Sequence, residues 1–234
     1  MGLSKRRKII DEKVDAMKAY SLDDAIEILR NLPKLKFSET VDISINLGID
    51  ITKSDQSVRG SSTLPHGIGK PSKVVVFAEG QDVTAAKKAG ADKVGFEDLI
   101  EEIKKDKDLD ADIVIATPEC MKLLGQLGRI LGPKNLMPNP KEGTVTKNIG
   151  QAVEKAKKGQ IRYKIDKAGI IHTTVGKVDF EAKQLSENIK TLINDLNKVK
   201  PSSTKGKYMK NLTISSTMGP GIKVDLSTIA EGNT

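Results

Sequence analysis

In residues 40–49 every second position is apolar, Val41, Ile43, Ile45, Leu47 and Ile49, while Asp42, Ser44 and Asn46 stand between them. Successive side chains of an extended strand point to opposite faces, so this run specifies a strand with one buried and one wet face. Ile161, Tyr163 and Ile165 repeat the alternation, as do Leu212, Ile214, Ser216 and Met218, with residues 170–178 set as a hairpin partner after a turn at 167–169. The apolar face of such a four-stranded sheet needs cover, and two helical patterns supply it. One spans 22–32, capped by Ser21 with Asp24 three residues on; the other spans 181–199, where Leu185, Ile189, Leu192, Leu196 and Val199 form one stripe that Pro201 ends.

The middle of the chain has a different rhythm. VVVFA (74–78) and DIVIATP (112–118) are short continuous apolar runs, suited to strands buried on both faces. Helical patterns lie between them at 82–89, ending at Gly90, and at 96–105. A further helix is expected over 119–131, with Met121, Leu124, Leu127 and Leu131 at helical spacing until Gly132 and Pro133, and a last one over 149–158 leads out to Gly159. Strands alternating with helices imply parallel pairing. The expected class is therefore α/β. An outer α+β unit of residues 1–67 plus 160–234 carries the four-stranded sheet covered by helices, and a three-layer, Rossmann-like unit is inserted at 68–159.

The chain has 234 residues and a formal charge of +8, which favours an anionic partner. Residues 68–159 carry 16 Lys and Arg against 14 Asp and Glu, and the flanking segments 23 against 17, so most of the excess lies in the outer unit. An acidic stretch at 97–112 would repel a phosphate backbone and reads as a solvated helix face. No run of 18 apolar residues exists, and the basic SKRRK at 4–8 precedes IIDEKVD and not an apolar signal core, so a soluble, cytosolic protein without membrane association is expected. The single cysteine, Cys120, reads as a small buried residue; with His66 and His172 far apart it forms no metal-ligand pattern, and no cofactor is expected. GIGKPS at 67–72 mimics the end of a phosphate-binding loop, but Leu64 stands where the first glycine belongs and Pro71 replaces the hydroxyl. No nucleophile, base and orienting group cluster in sequence, which argues against an enzyme, and the helix at 181–199 carries lysine and acid where a DNA-reading helix would present Arg, Asn or Gln.

Three uncommon motifs remain. GQLGRILGPKNLMPNPKEGTVTKN (125–148) crowds glycine, proline, asparagine and basic residues into a long restricted loop; VRGSSTLPHGIGK (58–70) and SSTMGPG (215–221) accompany it. Together, in this order and spanning nearly the whole chain, they resemble the bacterial L-one family of ribosomal proteins, the RNA-binding proteins of the mobile stalk of the large subunit. The resemblance implies a structural constituent of the cytoplasmic ribosome that binds the stalk region of large-subunit rRNA, assists release of deacylated tRNA from the exit site, and represses translation of its own messenger through a similar RNA element. It also implies a free protein that is a monomer.

The residues themselves indicate where contact falls. Small and hydroxyl residues suit close approach to sugar and phosphate, and equally suit ordinary turns. For Ser215, Thr217, Met218 and Gly219, and for Lys36, Phe37 and Thr40 in KLKFSET (34–40), both readings stand on residue type alone; the resemblance carries the RNA role onto them. Phe37 reads alternatively as a core plug. Arg162 and Lys164 share the strand face opposite Ile161 and Tyr163, so with Lys167 they form a candidate basic stripe; His172 is a contact or a structural residue; Lys205, Lys207 and Lys210 supply non-specific attraction. With aromatics only 3% of the chain and Trp absent, recognition by shape is expected over base stacking. Gly60, Gly67, Gly69 and Gly159 flank the two crossings into the inserted unit, as hinge positions or as rigid turns needing positive φ. Arg129, Lys134, Asn135 and Asn139 either dock the inserted unit or touch RNA.

Overall fold

The computed structural model describes residues 5–230 apart from 16, 34, 52, 54, 55, 107, 108 and 205; the basic role read for Lys205 lies outside the described residues. The chain divides into two compact units, Met1–Gly69 with Tyr163–Thr234, and Lys70–Arg162. The first begins with helices α1 (Lys5–Lys13) and α2 (Leu22–Arg30) and strands β1 (Thr40–Leu47) and β2 (Arg59–Thr63). The second holds β3 (Val74–Phe77), α3 (Gln81–Lys88), β4 (Lys93–Gly95), α4 (Glu97–Asp106), β5 (Ile113–Ala116), α5 (Met121–Leu124), α6 (Gly128–Leu131) and α7 (Ile149–Lys157). Strand β6 (Gln160–Lys164) leads back to β7 (Ile170–Lys177), α8 (Ala182–Lys198), β8 (Met209–Ser216), β9 (Ile222–Val224) and α9 (Ser227–Ala230).

The discontinuous unit is built on an antiparallel sheet in the order β7-β1-β8-β9. Strand β1 has the alternation its sequence demands, with Val41, Ile43, Ile45 and Leu47 all buried; Ile49 lies beyond its end. Helix α8 buries Leu185, Ile189, Leu192 and Leu196, and α2 buries Leu22, Ala25, Ile26 and Leu29. Each large side chain so buried contributes about 1.5–3 kcal/mol. The caps are local: Ser21 Oγ accepts the Asp24 N–H, and Glu181 with Gln184 forms a capping box. Val199, the last member of the stripe, follows the helix end and is exposed.

One strand assignment is corrected. Of residues 161–165, expected in this sheet, 161–164 belong to β6, which pairs with β2 in a separate two-stranded ribbon, while β9 takes the fourth place. Alternation encodes which face is buried and not which neighbour is bonded. The expected hairpin narrows to a single Ile165–Ile171 bridge, because Asp166 Oδ1 accepts both the Ala168 and Ile170 N–H groups at 2.8 Å and turns the chain away. Residues 60–63, read as glycine-rich crossing, are strand. A Cβ at Gly60 would lie 2.8 Å from the Tyr163 hydroxyl, so close packing demands glycine there.

In the inserted unit the three strands run parallel in the order β4-β3-β5. One face, with Val75, Phe77 and Val114, packs on Leu99, Ile100 and Ile103 of α4 and on Leu124, Leu127 and Leu131. The opposite face, with Val74, Val76 and Ile115, packs on Ala86 of α3 and on Ile149, Val153 and Ala156 of α7, completing three layers. Strand β4 has only three residues, too few to show a period. The helix expected over 119–131 is broken into α5, a 3-10 turn at Gly125–Leu127, and α6, with the leucine stripe still buried. Glycines at 125 and 128 weaken a continuous helix there.

Candidate nucleic-acid interface

Strand β1 starts beside the end of β8, with Val41 opposite Ser216, so residues 36–40 meet the turn at 216–219. The Thr40 N–H donates to Thr217 Oγ1 at 3.0 Å and the Thr217 N–H donates to the Thr40 carbonyl at 3.1 Å. Beneath them Glu39 is buried. Its Oε1 is 2.5 Å from the Arg6 guanidinium of α1, and its Oε2 accepts the Ser216 hydroxyl at 2.5 Å and the Met218 N–H at 3.3 Å. Burial pushes this carboxyl up, but the Ser216 hydroxyl, the Met218 N–H and Arg6 together outweigh it and hold the group below its ordinary pKa of 4.5.

This network leaves its outer members open. Lys36, Phe37, Thr217 and Met218 are exposed, Phe37 at 53% and Met218 at 62%, while Thr40 and Ser215 are half-buried. Phe37 is therefore not a core plug. An open cleft of about 740 Å³ lies beside them, lined among others by Arg30, Lys36, Phe37, Glu39 and Asp179. Gly219 is needed for space, since the Ser216 hydroxyl occupies the position of a Cβ.

A second group lies further along β1. His172 of β7 sits opposite Ser44, with Nδ1 3.0 Å from Ser44 Oγ and Nε2 3.5 Å from Asp166 Oδ2. The Ile170 and Ala168 N–H groups hold the Asp166 carboxyl below its ordinary range. Lys164 and Lys167 are exposed and line, with Ile51 and Asp166, a smaller cavity of about 340 Å³. Lys207 and Lys210 are exposed as well.

Arg162 belongs to the inserted unit and is turned to its own backbone. It donates to the Asn135 carbonyl at 3.1 Å and to the Asp112 carbonyl at 2.7 Å. Asn135 has a positive φ of 54°, and Asn139 caps the short turn Pro140–Glu142 by accepting the Lys141 N–H at 2.9 Å. Arg129 and Lys134 are exposed. Of the glycines at the crossings, Gly67, Gly69 and Gly159 adopt positive φ and Gly60 does not. The first crossing is held by the buried Asn188 of α8, which accepts the His66 N–H and donates to the Gly67 and Val175 carbonyls. His66 Nε2 adds a 2.5 Å contact with Glu187.

The sequence reading missed Glu39 and Arg6 as parts of this site. A lone acid inside the basic segment KLKFSET was the available signal for Glu39; nothing local marks Arg6. Among the described residues no group of His, Cys, Asp and Glu is placed to hold a metal, and no helix is long and apolar enough to cross a membrane.

Residues 29–220 match the model of the Ribosomal protein L1p/L10e family. The Large ribosomal subunit protein uL1 of Coxiella burnetii (strain Dugway 5J108-111) is 56% identical over 227 residues, 97% of each chain. The protein of that name from Cellvibrio japonicus (strain Ueda107) is 56% identical over 228 residues, 97% of this chain and 98% of its own. That of Vibrio vulnificus (strain YJ016) is 54% identical over 227 residues, 97% of each. With its inserted parallel sheet, its SSTMGPG turn and this agreement along nearly its whole length, the chain belongs to the Ribosomal protein L1p/L10e family and is a structural ribosomal protein, not an enzyme.

Proposed function

We propose that this protein is a constituent of the large subunit of the cytoplasmic ribosome, where its discontinuous unit binds large-subunit rRNA through the surface formed by residues 36–40 and 215–219. The observation that carries this reading is the reciprocal Thr40–Thr217 pairing, which fixes two chain segments into one surface and leaves Lys36, Phe37, Thr217 and Met218 outward. Lys36 offers phosphate contact, the hydroxyl and exposed backbone groups suit sugar and phosphate, and the two apolar side chains cover sugar and base faces. His172 on β7, with Lys164 of β6 and Lys167 of the turn that follows, extends the contact.

The finer roles rest on the family resemblance. In our reading the protein moves with the stalk RNA and helps deacylated tRNA leave the exit site, Gly67, Gly69 and Gly159 serving as hinge glycines between the two units. It binds an element of its own messenger with the same surface and represses translation. Arg129 and Lys134 offer a secondary RNA contact.

The test uses a transcript of the stalk element. Thr217→Ala removes one hydroxyl and is expected to weaken binding about three- to tenfold. Met218→Asp sets a negative charge against phosphate and is expected to weaken it further, with both variants melting within a few degrees of the wild type. Binding should survive excess duplex DNA. Unchanged affinity in both variants would remove this turn from the RNA surface.

A further inference from the structure

A buried carboxylate directly beneath a surface offered to RNA is an electrostatic liability, because RNA presents a row of negative phosphates. Glu39 is such a group, 7% exposed. Its placement has a structural use. Oε2 fixes the Ser216 hydroxyl and the Met218 N–H, so the carboxylate shapes the turn from which Thr217 and Met218 project. Its charge is met from a remote part of the chain. Arg6, 33 residues earlier on α1, reaches Oε1 at 2.5 Å with its own side chain 20% exposed. Helix α1 is seated there by Ile10, which is buried, and by Lys13, whose Nζ donates to the Asn31 carbonyl. The other charged side chains lining the adjacent cleft are Glu27, Arg30, Lys36 and Asp179. The Ser38 hydroxyl donates to Asp179.

We propose that Glu39 and Arg6 are paired positioning residues for RNA binding: Glu39 shapes the turn, and Arg6 cancels the charge that this shaping places under the phosphate-facing surface. The inference rests on the RNA reading of that turn. It makes the N-terminal helix part of the binding machinery without any of its side chains touching RNA. Removing Arg6 alone exposes the RNA to an uncompensated carboxylate at short range. Removing both charges restores neutrality, and glutamine at 39 keeps an oxygen to accept from Ser216 and Met218.

Full-length Arg6→Gln, Arg6→Lys, Glu39→Gln and the double variant Arg6→Gln/Glu39→Gln are titrated into the stalk-element transcript at one salt concentration, with the melting temperature of each recorded. Arg6→Gln is expected to bind about tenfold more weakly, Arg6→Lys close to wild type, and the double variant to recover most of the loss. A purely structural role for Arg6 would lower the melting temperature and the affinity of Arg6→Gln together and restore both in the double variant, whereas the charge role moves affinity beyond what the melting temperature accounts for. Unchanged affinity in Arg6→Gln overturns the proposal. So does a loss that Glu39→Gln fails to relieve, which would assign Arg6 a direct phosphate contact. Thr217→Ala and Met218→Asp in the same assay separate the two levels: if both bind as wild type, the RNA reading of the turn fails and this inference with it. If they bind weakly while Arg6→Gln is unaffected, the inference alone fails.

Discussion

The hydroxyl of Ser216 fills the space in which residue 219 would carry a Cβ, so Ser216 and Gly219 are fitted to each other across the turn. Glu39 holds that hydroxyl in place from below at 2.5 Å, which makes the glycine a consequence of a buried carboxylate two strands' ends away. Gly219→Ala is therefore expected to force the turn apart and cost about 1–3 kcal/mol of stability, read by denaturant unfolding, with a parallel loss of RNA affinity. Adding Ser216→Ala removes the overlap, so the double variant should be more stable than the two single losses predict. Strict additivity would show that the cost of Gly219→Ala does not come from the Ser216 hydroxyl.

Arg162 makes a different kind of contact. Its guanidinium spans two carbonyls of the inserted unit, those of Asn135 and Asp112, in the forked geometry that arginine alone provides. Arg162→Lys keeps the charge and loses one of the two donors, leaving a carbonyl short of its partner at a cost of about 1–3 kcal/mol. The expected result is a lower unfolding midpoint with RNA affinity unaltered. Weaker RNA binding at wild-type stability would instead place Arg162 on the RNA surface.

Tyr208 supplies a pH prediction. Burial, with the neighbouring Tyr163 adding to it, raises its phenol from the ordinary 10.0 to about 12. A raised pKa in the folded state means that folding favours the neutral form. The corresponding stability is fully present below pH 10 and is lost as the pH rises towards about 12. The Tyr208 hydroxyl is buried and has no hydrogen-bond partner among the described residues, so Tyr208→Phe gives up no bond. That variant should melt at or above the wild-type temperature at neutral pH, resist alkaline unfolding better, and lack the late step in a phenolate absorbance titration. A lower melting temperature at neutral pH would reveal a partner for the hydroxyl.

Much of the fold was legible because it is periodic. The alternation of Val41, Ile43, Ile45 and Leu47, the leucine and isoleucine stripe of α8, the Ser21 cap, and the apolar runs of β3 and β5 each state locally which side is buried, and the structure buries those sides. Strand β6 shows the limit of such reasoning. Its alternation is real, with Ile161 and Tyr163 buried, yet its partner is β2. Strand β9, three residues long, held the vacated place in the sheet without a local signal of its own.

Composition and motif order, carried by the chain alone, were enough to place it in its family. Which side chains share a partner was decided only in three dimensions. Arg6, Glu39 and Ser216 are joined across separations of 33 and 177 residues, and Arg162 meets a carbonyl 50 residues away. The physical reason is that periodicity records a residue's exposure to water, a property of its own neighbourhood, whereas a hydrogen bond or ion pair between distant segments depends on strand order and register, which no single segment encodes.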